Sequence, residues 1–263
     1  MRSSPRGSSD EAGNARAPKP GEVEARLVSL PNPPFITPRQ AKQEYAKVTV
    51  ADGAGSMPVA GLKLKFNRGV MAVVEANSTV KSPVGVTIPQ KGFSHCLAAK
   101  VSFGDGTKGS LAFCFRWTGK SREYHVRNMT VAAGQYGDHP VVVIDDNCNG
   151  HYNDIGEDAV LVDRGRLAVP LGSVVLFRGA PHKIEVSESG QKMTFTPVPD
   201  FKPGCAIVSR DEGDRLLIGA VLKGPLGGFH AINDRGPTVL PAGNYTLTFA
   251  SLGNPVINRL AGL

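Results

Sequence analysis

The stretch Asp145-Asp-Asn-Cys-Asn-Gly-His-Tyr-Asn-Asp-Ile-Gly-Glu-Asp158 sets oxygen-bearing side chains at its first, third and fifth positions, Asp145, Asn147 and Asn149, with Gly150 at the sixth. A hard cation such as calcium collects about 6–8 oxygens at roughly 2.3–2.6 Å, and odd-numbered donors before a glycine let a tightly curled backbone aim them at one point. His151 offers its carbonyl next. Asp154 and Asp158 can close the sphere, with Glu157 or Asn153 as substitutes or water-mediated contacts. The competing reading is a long solvated turn, since Gly, Asn and Asp dominate turns anyway. Turn composition alone has no register, however, and this loop has one. Two neutral Asn among the first three donors imply weak binding, in the range of about 10⁻⁴–10⁻³ M found in extracellular modules. Softer metals would need Cys148 and His151 to turn inward, and Cys148, at an even loop position, is expected to point away.

Other residues capable of chemistry are fewer. His95 stands beside Cys96, and His139 and His151 lie near Asp138 and Asp154. Neighbours on a strand face opposite sides of a sheet, so His95 and Cys96 do not make a dyad. The chain contains no G-x-S-x-G, no H-E-x-x-H and no phosphate-cradling glycine loop. Paired carboxylates of a hydrolase acting on carbohydrate or other substrates, about 5–10 Å apart across a cleft, stay open as an alternative. Asn77, Asn128 and Asn244 each begin an N-x-S/T pattern, which without a signal sequence is read as chance.

The elements that must hold the loop read as strands. With 31 Gly and 20 Pro among 263 residues, turns are frequent and long helices rare. Leu62, Leu64 and Phe66 alternate with Lys63 and Lys65, placing one apolar face on a strand. Ile184 and Val186, then Met193 and Phe195, repeat that pattern across Glu188-Ser-Gly-Gln191 as a hairpin. Val141-Val-Val-Ile144 is an unbroken apolar run, expected of a strand buried on both faces, and Ala159-Val-Leu-Val162 resumes after the loop. The acidic loop therefore joins two strands. Thr37, Pro38 and Arg39 to Ala46 read as an N-cap, a first-turn proline and one or two helical turns. The fold class is all-β, with antiparallel sheets and sandwich packing. A disordered tail is expected over residues 1–30, a main β domain over 31–200, and a small β-sandwich-like module over 201–263.

Two resemblances add to this. The acidic loop resembles the calcium boxes of thrombospondin type 3 and dockerin repeats more than the EF-hand, because Gly156 takes the place of a bidentate glutamate and strands flank it. The ending Leu240-Pro-Ala-Gly-Asn-Tyr-Thr-Leu-Thr248 resembles the last hairpin of carboxypeptidase-regulatory-like and transthyretin-like modules, which implies an immunoglobulin-like C-terminal unit acting as binding or spacer domain. The order of these elements is also similar to that of uncharacterised secreted β proteins of environmental bacteria, which implies export.

Charge and cysteines bound the rest. The net charge of +7 is scattered along the chain without basic runs interleaved with aromatics, so nucleic acid is not an expected partner. No stretch reaches the roughly 20 apolar residues of a membrane-spanning helix. The basic N-terminus leads into no apolar signal segment, in tension with the extracellular or periplasmic location that the resemblances imply. Cys96, Cys114, Cys148 and Cys205 lack zinc spacing and their redox state stays open; counting outward from Gly104-Asp105-Gly106-Thr107 leaves Cys96 and Cys114 about three residues out of register, so a bond between them is left open but not expected. The function expected is non-catalytic: a calcium-stabilised β protein that contacts a protein or polysaccharide partner or acts as a spacer.

Overall fold

The computed structural model describes residues 19–253, apart from 31–32, 68–69, 76–85, 88–94, 121, 164, 166, 207–215 and 233–237. Within them the chain is all-β, every strand-to-strand ladder is antiparallel, and one short helix, Pro38–Lys42, interrupts the strands. That helix starts as its sequence requires. The Thr37 hydroxyl accepts from the Gln40 backbone N–H, Gln40 returns a bond to the Thr37 backbone, and Pro38 occupies the first turn.

The sheet that carries the acidic loop has the strand order Val169–Pro170, Ala159–Val162, His139–Ile144, Thr130–Tyr136 and Arg26–Ser29. Val131, Ile144 and Ala159 stand side by side on one face and pack with Phe35, Leu161 and Ala168 in a small cluster. Ala132, Val143 and Val160 stand on the other and enter the main core. Residues 141–144 are apolar without alternation because both of their faces are covered.

The main core is shared by four sheets. Phe113 enters from the sheet ordered Ala46–Thr49, Glu123–Asn128, Lys108–Trp117, His95–Ser102. Phe195 enters from Glu22–Glu24, Lys192–Pro197, Ala180–Val186, Val174–Phe177. Leu64 enters from Ala54–Ser56, Leu62–Asn67, Val70–Glu75, Val86–Thr87. The alternation of Leu62 and Leu64 with exposed Lys63 follows the sequence pattern, and the hairpin pairs Ile184 with Phe195 and Val186 with Met193. Beyond residue 200 the described strands form only a two-stranded sheet, Pro203–Ala206 with Thr238–Pro241, and a three-stranded sheet, Phe229–Ile232, Leu216–Lys223 and Thr246–Gly253. The Ser173 backbone N–H donates to the Gly227 carbonyl at 3.3 Å and ties this unit to the rest. Inside it, His230 is buried edge-on to Tyr245, and burial pushes its imidazole down to about 4.

Two expectations change. The segment 1–30 does not stay a tail throughout: residues 1–18 lie outside the described residues, but Glu22–Glu24 and Arg26–Ser29 are edge strands in two different sheets. Val23 pairs with Met193 and Val28 with Val131. Such a strand needs little apolar area of its own when a built sheet supplies its hydrogen bonds and a covered face. Second, Cys96 and Cys114 are direct register partners. The hairpin pivots on Asp105, because the Phe103 N–H donates to the Thr107 carbonyl and Gly106 takes φ +83°, and Asp105 is equidistant from both cysteines. Cys114 is disulfide-bonded, whereas Cys148 and Cys205 are free.

Candidate metal centre

Antiparallel pairing of Ile144 with Ala159 makes Asp145 and Asp158 the first pair beyond the ladder, at the neck of the loop. Both side chains are buried, with residue exposures of 2% and 1%. Asp145 is fully hydrogen-bonded: Oδ1 accepts from the Asn149 N–H at 3.0 Å, and Oδ2 from the Gly150 N–H and the Asn128 amide, each at 2.8 Å. Asp158 is not. Its Oδ2 accepts from the Asp154 N–H at 2.8 Å, but its Oδ1 is buried with no hydrogen-bond partner among the described residues. Burial pushes the Asp145 carboxyl up to about 6, and burial together with the Asp145 charge pushes Asp158 up to about 9.

The remaining donors gather around this neck. The Asn147 and Asn149 amides both donate to Asp154 Oδ2, at 3.0 and 2.5 Å. Their Oδ1 atoms accept from the backbone two residues on, Asn147 from the Asn149 N–H at 3.0 Å and Asn149 from the His151 N–H at 2.8 Å. These bonds curl the backbone so that the odd-numbered side chains converge. Hydrogen bonds thus link Asp145, Asn147, Asn149, Asp154 and Asp158 in one network. The His151 side chain leans out, 3.3 Å from Glu188 Oε1. Of the two substitutes, Asn153 is exposed, and Glu157 is exposed and pairs with Arg39.

Among the described residues no three His, Cys, Asp or Glu side chains form a group that could hold a metal. An ion here would therefore need the Asn oxygens and a backbone carbonyl as well, a hard, all-oxygen donor set suited to calcium. Cys148 is buried in the main core and burial pushes its thiol well up, which removes it as a soft ligand.

Three residues outside the spacing pattern build the site. Asn128 bridges Asp145 and, at 3.3 Å, the Tyr152 hydroxyl; the latter donates to the Thr130 carbonyl at 3.0 Å. The acceptor pattern at Asn128 is therefore occupied by a buried structural amide. Its signal was a polar residue at the inward phase of Tyr124, Val126 and Asn128. Tyr152 is wholly buried and anchors the loop from within. Asp146 faces away from the other donors and accepts from the Thr37 hydroxyl and, at 3.0 Å, from the Arg39 N–H.

Gly150 is required on two grounds. Its φ is +90°, and a Cβ there would stand 2.8 Å from the Val59 side chain. Replacement by Ala is expected to lower stability by about 1–3 kcal/mol, read by urea unfolding.

Other clusters differ from the catalytic candidates. His151 pairs with Glu188 in place of Asp154. His139 does meet Asp138, at 3.1 Å, and also Asp163, at 2.7 Å, while the His95 and Cys96 side chains lie outside the described residues. A cleft of about 520 Å³ opens between Val59–Leu62, Lys100–Phe103 and the outer wall of the loop at 149–151. It exposes Glu75 and Glu188, and neither Asp145 nor Asp158 lines it. Comparison of the chain with known protein families, with curated proteins and with solved structures finds no match.

Proposed function

We propose that residues 145–158 are a structural calcium-binding loop in an exported, non-catalytic β protein that acts as a binding or spacer module. The observation that carries this reading is the Asp158 Oδ1 atom, buried without a partner among the described residues and beside a second buried carboxyl. Such a pair is costly without a counter-cation, because burial strips both groups of water and the Asp145 charge opposes ionisation of Asp158, which is held protonated where a solvated carboxyl would be charged. Calcium would supply the missing partner for Asp158 and relieve the repulsion. Asp145, Asn147, Asn149, Asp154 and Asp158 would give side-chain oxygens and His151 its carbonyl.

The setting fits. A disulfide at Cys114 suits an oxidising compartment, and a weak calcium site suits the millimolar calcium of an extracellular one. The immunoglobulin-like character of the C-terminal unit, and a protein or polysaccharide as partner, rest on the resemblance of its last strand alone. For the hydrolytic alternative the raised carboxyls are in the wrong place, sealed in the loop neck and absent from the open cleft.

The test is thermal unfolding of the full chain in chelator, in millimolar calcium and in magnesium. An ion that binds only the folded state adds about 1.4 kcal/mol at ten times its Kd, which raises the midpoint by a few degrees. A rise specific to calcium supports the site; equal curves in all three solutions would refute it.

A further inference from the structure

Both outward carboxylates of the loop hold the same short segment. Asp146 accepts from Thr37 and Arg39, and Glu157 pairs with the Arg39 guanidinium. The helix Pro38–Lys42 that they hold contributes no buried side chain, so apolar packing does not fix it. Its other ties lie on either side of it: upstream, Phe35 enters the small cluster and the Ala168 N–H donates to the Ile36 carbonyl at 2.9 Å, and downstream the Tyr45 ring packs 5.3 Å from His125 and under the Arg116 guanidinium. Beneath the helix is a cavity of about 20 Å³, room for one water, lined by Gln40, Tyr45, Arg127, Asn128 and Asp145 among others. The helix is thus the roof over the Asp145 side of the loop neck.

We propose that the segment 37–45 is a strap whose closure is coupled to calcium in the loop, an inference that rests on the calcium reading above. Asp145 and Asp146 are adjacent, as are Glu157 and Asp158, so the backbone that aims one carboxylate of each pair at the ion aims the other at the strap. Ordering the loop around calcium sets both strap contacts. Chelation loosens the loop and frees the helix, whose backbone bonds, Ala41 N–H to Thr37 and Glu44 N–H to Arg39, lie over a turn with no buried side chain between Pro38 and Lys42. Coupling of this kind is reciprocal: a strap that cannot close weakens calcium by up to the factor by which calcium favours closure.

The experiment is hydrogen–deuterium exchange of the full chain with calcium and with chelator, read separately at amides 41–44 and 149–158, together with calcium titration of Asp146→Ala and Arg39→Ala. Calcium is expected to slow exchange at both regions in the unaltered chain, by about tenfold at 41–44. Asp146→Ala should remove the protection at 41–44 alone and weaken calcium by up to about tenfold. Arg39→Ala removes only a surface ion pair and leaves a folded protein, in which the same two effects should appear in smaller measure. Protection of 149–158 with no change at 41–44 would overturn the strap and leave the calcium site standing. No calcium effect at either region would overturn the site, and the strap with it.

Discussion

Asp158→Asn is expected to make the chelated protein more stable and at the same time to abolish its response to calcium. The amide keeps an oxygen to accept from the Asp154 N–H and replaces the partnerless Oδ1 with a neutral group. Without metal, burial and the Asp145 charge hold Asp158 protonated, and the substitution removes the cost of doing so. The gain at pH 7 should be up to about 4 kcal/mol, the scale of a carboxyl held protonated at a pH about 3 units above its ordinary titration. With metal, the variant lacks a charged ligand and gains nothing. The two unfolding curves, well separated for the unaltered protein, should coincide for the variant. A purely structural turn would instead show the same stabilisation in both solutions.

The second large effect is a dependence on pH that calcium reverses. In the folded chain Asp145 titrates at about 6 and Asp158 at about 9, against 3.8 for an unperturbed carboxyl. Between about pH 4 and 9 the folded chelated protein therefore binds more protons than the unfolded one, and its stability falls as pH rises. Below pH 3.8 both groups are protonated in either state and the loss is absent. Calcium competes with those protons, so its affinity rises across the same window. His230 acts oppositely: with a folded value near 4 against 6.5, its contribution is present above 6.5 and lost as pH falls toward 4. The quantity to follow is therefore the difference in unfolding free energy between calcium and chelator at each pH, in which the His230 contribution cancels. That difference should grow from pH 5 to pH 9. A flat difference would mean that the two carboxyls do not share a site with the ion.

Much of the scaffold was legible because local periodicity decides it. The alternation at Leu62, Leu64 and Phe66, the facing pairs Ile184–Phe195 and Val186–Met193, and the unbroken run at 141–144 each appear in the structure as the strand they implied. The cap and first turn at Thr37 and Pro38 are equally local, but the helix stops at Lys42, where Gln43 turns left-handed, and Ala46, expected to be helical, begins a strand. In the loop, the odd-spaced Asn147 and Asn149 do meet, both donating to Asp154. What stayed hidden depends on pairing between distant segments. Asn128 reaches Asp145 only because two strands of different sheets meet there, and Asp146 meets Thr37 across a separation that no spacing rule spans. The strands at 22–29 were missed because composition measures what a segment can bury alone, not what a neighbouring sheet offers it. The Cys96–Cys114 register turned on the centre of one hairpin, and misplacing that centre shifted every pair.

The most direct measurement is calcium titration by calorimetry on the full chain after exhaustive chelation, with Asp145→Ala as the paired variant. One calcium per chain, bound in the range of about 10⁻⁴–10⁻³ M and lost in the variant, is the predicted result. Absence of saturable binding, or binding that survives removal of Asp145, would contradict the assignment of the loop as a calcium site.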